Sequence, residues 1–169
     1  MKPAFFILLA WSTALFAQDA NKIADFVHSA LDARSREIIA ATVDMPADRF
    51  GFRPSPPDLT FAQLTLHVAD TNYLYCSTIG GVPDPALPKI ADSESKEKLV
   101  QRLKASFDFC ASALAKIGDA DKSQTLMIGP AKTSRAMAIL TLTGTWTDHV
   151  ALQATYLKPG STPGATAAR

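Results

Sequence analysis

The chain has 169 residues, of which 47% are hydrophobic, and 17 lysines and arginines nearly balance 16 aspartates and glutamates. A formal net charge of +1 without a cluster of basic residues excludes the electrostatic footprint that nucleic-acid-binding proteins need. The length suits one domain with a buried core, and no internal repeat or linker divides it.

The amino-terminal segment predicts export. Lys2 precedes the uncharged apolar run AFFILLAWSTALFA, and Ala17 is a small residue at a suitable cleavage position. The run is shorter than the about 20 apolar residues that cross a membrane. We therefore predict that residues 1–17 are a secretory signal peptide and that the mature protein is periplasmic or secreted, without a membrane span. Leu15 is larger than the small residue usual three positions before the cleavage site, which leaves the cleavage position and retention as an anchor open.

Four segments with helical periodicity follow, and strand-like alternation is hard to find. The first segment runs from Ala20 to Val43. A proline-rich loop then leads to a second segment, which is predicted to begin with Thr60 as its N-cap and to end at Ile79, before two glycines.

The third segment begins near residues 93–95 and is closed by Gly118. The stretch GDADKSQTLMIGPAK is predicted to be a polar loop, followed by a fourth helix that is capped by Thr133 or Ser134 and ends at Leu157. Four amphipathic helices predict an all-α protein with a four-helix bundle as its architecture. The bundle is predicted to span residues 18–160, and residues 161–169 to be a disordered tail.

Two cysteines, Cys76 and Cys110, bear on how the helices run. In an exported protein such a pair forms a disulfide more often than a metal or catalytic site, and two unpaired buried thiols are the alternative. The loop after the second helix is long enough to run the length of the bundle, so helices two and three can be parallel. Parallel helices place the cysteines at nearly the same level, whereas an up-down-up-down bundle separates them by roughly 15 Å. A disulfide therefore predicts up-down-down-up topology with a long crossover between helices two and three.

The candidate functional residues are two histidines, because imidazole serves both metal ligation and proton transfer near neutral pH. In the predicted topology His67 of helix two and His149 of helix four lie about 10–12 Å from the same end of the bundle, so they are level. Both are predicted to face the interior: His67 with Leu64, Thr71 and Leu74, and His149 with Thr145, Leu152, Gln153 and Tyr156. The third histidine, His28, shares a polar face and is predicted to be a solvated surface residue.

The segment MPADRFGFRPSPPDLTFAQLTLHVAD places a proline-flanked loop before a histidine early in helix two, and the last helix reads His-x6-Tyr-Leu-Lys before Pro-Gly. This pattern, over about residues 20–160, resembles the DinB-like family. The resemblance implies an up-down-down-up bundle that holds a divalent metal ion, often nickel or zinc. Three histidines bind the metal in that family, one from helix two and two from an H-x3-H pair in helix four.

The resemblance assigns His67 to the helix-two ligand and His149 to the second histidine of the pair, because residues 156–158 fall where the family has Tyr-Leu-Arg. Thr145 replaces the first histidine of the pair, and Leu152 replaces the glutamine that commonly follows the second. A threonine hydroxyl is a poor ligand for such metals. The resemblance therefore implies a metal pocket with two of its three ligands.

Two other side chains can supply a third donor in this interpretation. Asp70 lies one helical turn after His67, and Gln153 lies one turn after His149, whereas Asp148 points about 100° away around the helix. A catalytic zinc site needs three protein ligands and one open position.

Three alternative functions are compatible with these sequence features. We predict a non-catalytic binding module whose pocket holds a small molecule or a weakly bound zinc or nickel ion, with no catalytic residue assigned. The pocket between helices two and four would be lined by Tyr73, Trp146 and Tyr156. The second is a metal-dependent transferase or hydrolase acting with low-molecular-weight thiols, which suits an exported protein poorly because those thiols are cytoplasmic. The third is structural, with His67 and His149 hydrogen-bonded to Thr145 or Asp70 in a buried polar network. A homodimer is compatible with each.

Overall fold

The computed structural model describes residues 22–158, so the predicted signal peptide and the predicted disordered tail lie outside the described residues. The described chain forms four long helices, two short 3-10 helices and one hairpin. In chain order these are α1 (Lys22–Asp44), the 3-10 helix Ala47–Arg49, α2 (Phe61–Gly80), α3 (Lys96–Leu114), the 3-10 helix Asp119–Asp121, β1 (Thr125–Ile128), β2 (Ala131–Ser134) and α4 (Arg135–Leu157). The predicted four-helix bundle is confirmed. Within residues 22–158, no helix has the length and apolar character needed to span a membrane.

The helices begin at capping residues that the sequence indicates. Thr60 accepts a hydrogen bond from the backbone N–H of Gln63, whose side chain accepts one from the backbone N–H of Thr60, and this reciprocal capping box starts α2. Ser95 and Ser134 cap α3 and α4 without the reciprocal bond, each side chain accepting from the backbone N–H three residues later. Gly81 ends α2 with a φ of +66°, a left-handed conformation that glycine adopts without strain. These caps confirm the predicted starts of α2 and α4 and place the start of α3 at the edge of its predicted range.

Helices α2 and α3 are parallel. The amide nitrogen Nδ2 of Asn72 donates to the hydroxyl of Ser106 over 3.0 Å, and Cys76 forms a disulfide with Cys110. In both pairs the residues are 34 positions apart, and a constant offset arises only when two helices run in the same direction. The long crossover between α2 and α3 is therefore confirmed.

Helices α1 and α3 are antiparallel. Near the start of α1, Nε2–H of His28 donates to the carbonyl of Leu114 at the end of α3, over 2.9 Å. Near the end of α1, Lys96 at the start of α3 donates to the carbonyls of Val43 and Met45, over 2.6 and 2.8 Å. The start of each helix thus lies beside the end of the other.

Helices α2 and α4 are also antiparallel, because residues further along α2 contact residues that come earlier in α4. His67 contacts His149, and further along α2, Asn72 contacts Trp146. Together the three pairs of helices give the up-down-down-up order that the sequence predicts.

A hairpin occupies part of the segment predicted to be a polar loop. Leu126 and Ile128 of β1 are buried in the main core, while Met127 between them is 55% exposed. Gly129 has a φ of +56° and precedes Pro130, which is the sequence and backbone pattern of a tight two-residue hairpin turn. The prediction of an irregular loop was wrong because the alternation covers only four residues.

His28 differs from its prediction as a solvated residue. It is half-buried, and its bond to Leu114 satisfies a carbonyl in the last turn of α3, where helices leave carbonyls without an intrahelical partner. The polar face of α1 that carries His28 therefore lies against the end of α3. Helix α3 itself ends at Leu114, before the predicted Gly118.

The core consists of two clusters of buried side chains. The main cluster lies between the four helices and under the hairpin, and includes Trp146 and the disulfide. The second lies at the end of the bundle where α2 begins and α4 ends, and is formed by Met45, Phe50, Phe52, Phe61, Ala62, Leu64, Leu99 and Tyr156. The two candidate histidines lie near this second end.

Candidate functional site at the α2–α4 seam

The two candidate histidines meet where α2 and α4 pack together. The ring centroids of His67 and His149 are 5.4 Å apart, and the ring planes are inclined by 70°, an edge-to-face contact. His149 is 7% exposed, whereas His67 is exposed. We call this surface the α2–α4 seam and define it by His67, Thr71 and Leu74 of α2 together with Thr145, His149 and Leu152 of α4.

The predicted interior position of His67 was wrong. Leu74 on the same side of α2 is also exposed, to 43%. The reason is that α2 packs against both α3 and α4, so its buried side is centred between them and not on α4 alone. That buried side carries Phe61, Ala62, Leu64, Thr65, Val68, Ala69, Asn72, Tyr73, Cys76, Ser77 and Ile79. His67 therefore lies at the rim of the seam, where its ring reaches both His149 and solvent.

The surroundings of His149 favour its neutral form. Burial lowers the pKa of His149, and the positive charge that His67 can carry lowers it further. The exposed carboxylate of Asp148 and the backbone of Thr145 raise the pKa, but these are the smaller effects. The Nδ1 atom of His149 is buried without a well-formed hydrogen bond, so the Thr145 backbone contributes only weakly. A neutral imidazole is the form that binds a metal ion.

Thr145, where the sequence resemblance expects a third histidine, has its hydroxyl turned to its own helix. Its hydroxyl donates to the carbonyl of Thr141 over 2.8 Å, within the same helix. Leu152, where the sequence resemblance expects a glutamine, is apolar and 40% exposed. Neither position supplies a donor to the histidine pair.

The two other candidate donors also point elsewhere. Asp70 is exposed and acts electrostatically on Tyr73 and not on His149. Gln153 is fully buried, and its Nε2 donates to the hydroxyl of Thr42 on α1 over 2.9 Å, which ties α4 to α1. Its Oε1 is buried without a partner.

A three-histidine metal centre does not fit these residues. Across residues 22–158, no three histidine, cysteine, aspartate or glutamate side chains are arranged to hold a metal ion. The seam supplies two imidazoles, one nearly buried and one accessible to solvent. Within the described part of the chain, no third histidine, cysteine, aspartate or glutamate side chain joins this pair.

Trp146 belongs to a buried polar network that sequence reasoning missed. Its Nε1–H donates to Oδ1 of Asn72 over 2.7 Å, Asn72 donates to Ser106, and the Ser106 hydroxyl donates to the carbonyl of Leu103 over 2.7 Å. All three side chains are fully buried. The network joins α4, α2 and α3. In the sequence it is indicated only by Asn72, a polar residue on the same apolar side of α2 as Val68.

The other two residues predicted to line a pocket are packing residues. The hydroxyl of Tyr156 donates to the carbonyl of Leu59 over 2.7 Å, and its ring packs edge-on against Phe61 in the second core cluster. Tyr73 packs against Phe109 of α3, and the Arg102 guanidinium lies 5.2 Å from the centre of its ring. With Trp146 in the core, these contacts correct the expectation of an aromatic pocket beside the histidines: the site is a surface seam.

The fold and the seam define a class of protein: an up-down-down-up four-helix bundle with a histidine from α2 facing a histidine from α4. The family model of the DinB superfamily matches residues 30–152, and the chain belongs to that superfamily. The crystal structure of a conserved protein from Enterococcus faecalis is similar, with a TM-score of 0.61 and 17% identity over 80% of this chain and 94% of that one. At this identity the similarity supports the fold. A search of curated proteins found no match.

Proposed function

We propose that this chain is an exported, non-catalytic member of the DinB superfamily whose His67–His149 pair binds a divalent metal ion weakly. The observation that carries the proposal is the 5.4 Å contact between the two rings, combined with a hydroxyl at Thr145 that is turned to its own helix. Zinc and nickel are the candidate ions because imidazole suits both. The remaining coordination positions are filled by water or by a small molecule.

The number of ligands sets the strength of binding. Zinc sites with four protein ligands bind with about 10–16 kcal/mol, or about 3 kcal/mol per ligand. Two imidazoles then supply about 6 kcal/mol, which corresponds to a dissociation constant on the order of 0.01–0.1 mM. Binding of this strength responds to the ion's concentration and does not keep a resident catalytic ion. We therefore favour a binding module over an enzyme.

Two features of the chain support export. The first is the apolar segment before residue 18, which the sequence predicts to be a signal peptide. The second is the fully buried disulfide between Cys76 and Cys110, a cross-link that persists in oxidising compartments and is rare in the cytosol.

A metal-dependent transferase is the less favoured function. The lowered pKa of His149 favours the neutral imidazole that binds a metal ion, and this supports such a function. However, a catalytic centre of this type needs three protein ligands, and the seam supplies two.

The test is a titration of the protein, secreted into an oxidising periplasm, with zinc and with nickel, in which bound metal and the melting temperature are measured together. We expect saturable binding that His67→Ala and His149→Ala each abolish. Asp70→Ala is the matched control, since Asp70 lies one turn from His67 but forms no three-ligand group with the pair, and it should bind as the wild type does. Absence of bound metal at millimolar concentration, or binding that survives both histidine variants, would overturn the proposal.

A further inference from the structure

The crossover between α2 and α3 is the most exposed stretch of the described chain. Residues 81–89 are exposed without interruption, which is the longest such run within residues 22–158. Across residues 83–90, no backbone group is hydrogen-bonded to another backbone group of the described chain. A protease binds its substrate as an extended strand, through backbone groups that must be free to pair with it. The crossover therefore offers a backbone that a protease can bind.

Only a few side-chain contacts hold the end of the crossover that leads into α3. The Arg102 guanidinium donates to the carbonyl of Pro88 over 3.2 Å, and Nε2 of Gln63 donates to the carboxylate of Asp92 over 2.8 Å, both at exposed positions. Ile90 is half-buried against the second core cluster. Releasing this stretch opens these contacts and leaves the helices intact, so it needs far less free energy than global unfolding.

A basic side chain in the crossover determines which protease fits. Trypsin-like serine proteases recognise a lysine or arginine before the bond they cleave, through an aspartate in their specificity pocket. Outside the helices and strands, the described chain has five such residues, namely Arg53, Lys89, Lys116, Lys122 and Lys158.

Four of these five basic residues lie in bonds that are difficult to cleave. Arg53 and Lys158 each precede a proline, which lacks the backbone N–H and has a rigid ring. The carbonyl of Lys122 accepts a hydrogen bond from the backbone N–H of Ala136 over 2.9 Å. The N–H of Ile117, which follows Lys116, donates to the carbonyl of Leu114 over 3.2 Å. Of the five, Lys89 alone has neither restraint, so the Lys89–Ile90 bond is the expected point of cleavage.

The disulfide spans this bond, because Cys76 precedes the crossover and Cys110 follows it. Both cysteines are fully buried, which protects the disulfide from thiol exchange. We propose that the Lys89–Ile90 bond is a processing site for a trypsin-like serine protease, and that the disulfide keeps the two resulting parts joined and folded. In the hydrolysis, the oxygen of one water molecule enters the new carboxylate of Lys89, and the new amino group of Ile90 takes up the proton. This inference is independent of the metal-binding function proposed above.

The test is a brief digestion of the native, oxidised chain with a small amount of trypsin, followed by mass spectrometry with and without a reductant. Without reductant we expect one species, heavier than the intact chain by one water molecule. After reduction and denaturation we expect two fragments, one that ends at Lys89 and one that begins at Ile90. The cleaved, unreduced protein should keep its helical circular dichroism and a single melting transition.

Three results would overturn the proposal. The first is an initial cleavage at any other bond. The second is a native chain that resists trypsin under conditions in which the urea-unfolded chain is digested. The third is a cleaved protein that loses its helical signal before any reductant is added, because the disulfide would then not keep the two parts folded.

Two matched variants test the site itself. Lys89→Gln removes the recognised charge from an exposed side chain, and the initial rate of cleavage should fall at least about tenfold, because the remaining sites open less readily than the crossover. Lys122→Gln is the control, since Lys122 is also an exposed lysine in a loop, and this variant should be cleaved at the rate of the wild type. A wild-type rate in Lys89→Gln, or equal slowing in both variants, would exclude this site. Melting curves verify that both variants are folded.

Discussion

Removing the disulfide should lower the stability of the bundle by an amount that its loop size determines. The bond joins residues separated by 34 positions, and closing a loop of that size removes entropy from the unfolded chain worth about 4 kcal/mol at 25 °C. That is a roughly thousandfold change in the unfolding equilibrium. Both cysteines are fully buried, so the loss of two sulfur atoms adds a smaller packing cost.

The assay is urea unfolding of a Cys76→Ala/Cys110→Ala variant, followed by circular dichroism and compared with the wild type. The wild type unfolded in the presence of a reductant is the matched control. It should lose the same loop-closure contribution and remain more stable than the double variant only by the smaller packing cost of the two sulfur atoms. A double variant within about 1 kcal/mol of the oxidised wild type would refute the reasoning, because an intact cross-link of this size contributes more than that.

Three further predictions concern the packing around the site. Because the folded pKa of His149 is lowered below its ordinary 6.5, folding is favoured by the neutral ring, so stability is full above about pH 6.5 and is lost as the pH falls through the folded pKa. Melting between about pH 8 and pH 5 without metal should therefore show a smaller loss in His149→Gln than in the wild type. Asn72→Leu leaves the buried indole N–H of Trp146 without an acceptor and should cost about 1–3 kcal/mol in urea unfolding. If Asn72→Leu costs the same free energy of unfolding in a Trp146→Phe background, the predicted coupling between Asn72 and Trp146 is contradicted. Gly80→Ala forces a Cβ onto the backbone of α3 and should cost about 1–3 kcal/mol. Gly144→Ala, with open space around it, should instead raise the free energy of unfolding by about 0.5–1 kcal/mol. Equal effects at the two glycines would contradict the close approach of α2 to α3 at Gly80.

Much of the fold could be predicted because it depends on local signals. Thr60 with Gln63 three residues later and the glycine pair at the end of α2 mark helix boundaries in the sequence itself. The direction of the helices followed from one long-range assumption, that Cys76 and Cys110 are joined, and the structure contains that bond. The hairpin was missed because strands of four residues carry too little alternation to distinguish them from a polar loop.

The candidate site could be predicted only in part. Helical spacing places His67 and His149 at one level, but it does not say how far around α2 the buried side extends, and packing against α3 leaves His67 at the rim. The partners of Gln153 and Trp146 lie on other helices, at Thr42 and Asn72. Such contacts depend on how each helix is rotated about its axis relative to its neighbours, and the sequence pattern of one helix does not determine that rotation.

The central claim is that the seam is a metal site with one ligand missing, and zinc affinity before and after Thr145→His tests it most directly. Thr145 lies one turn from His149, so a histidine there should join the pair. Measured by competition with a chromophoric chelator, the dissociation constant should fall about 100-fold, the worth of one ligand. An affinity that does not change on Thr145→His would contradict the account, because a third imidazole would then not face the same ion as His67 and His149.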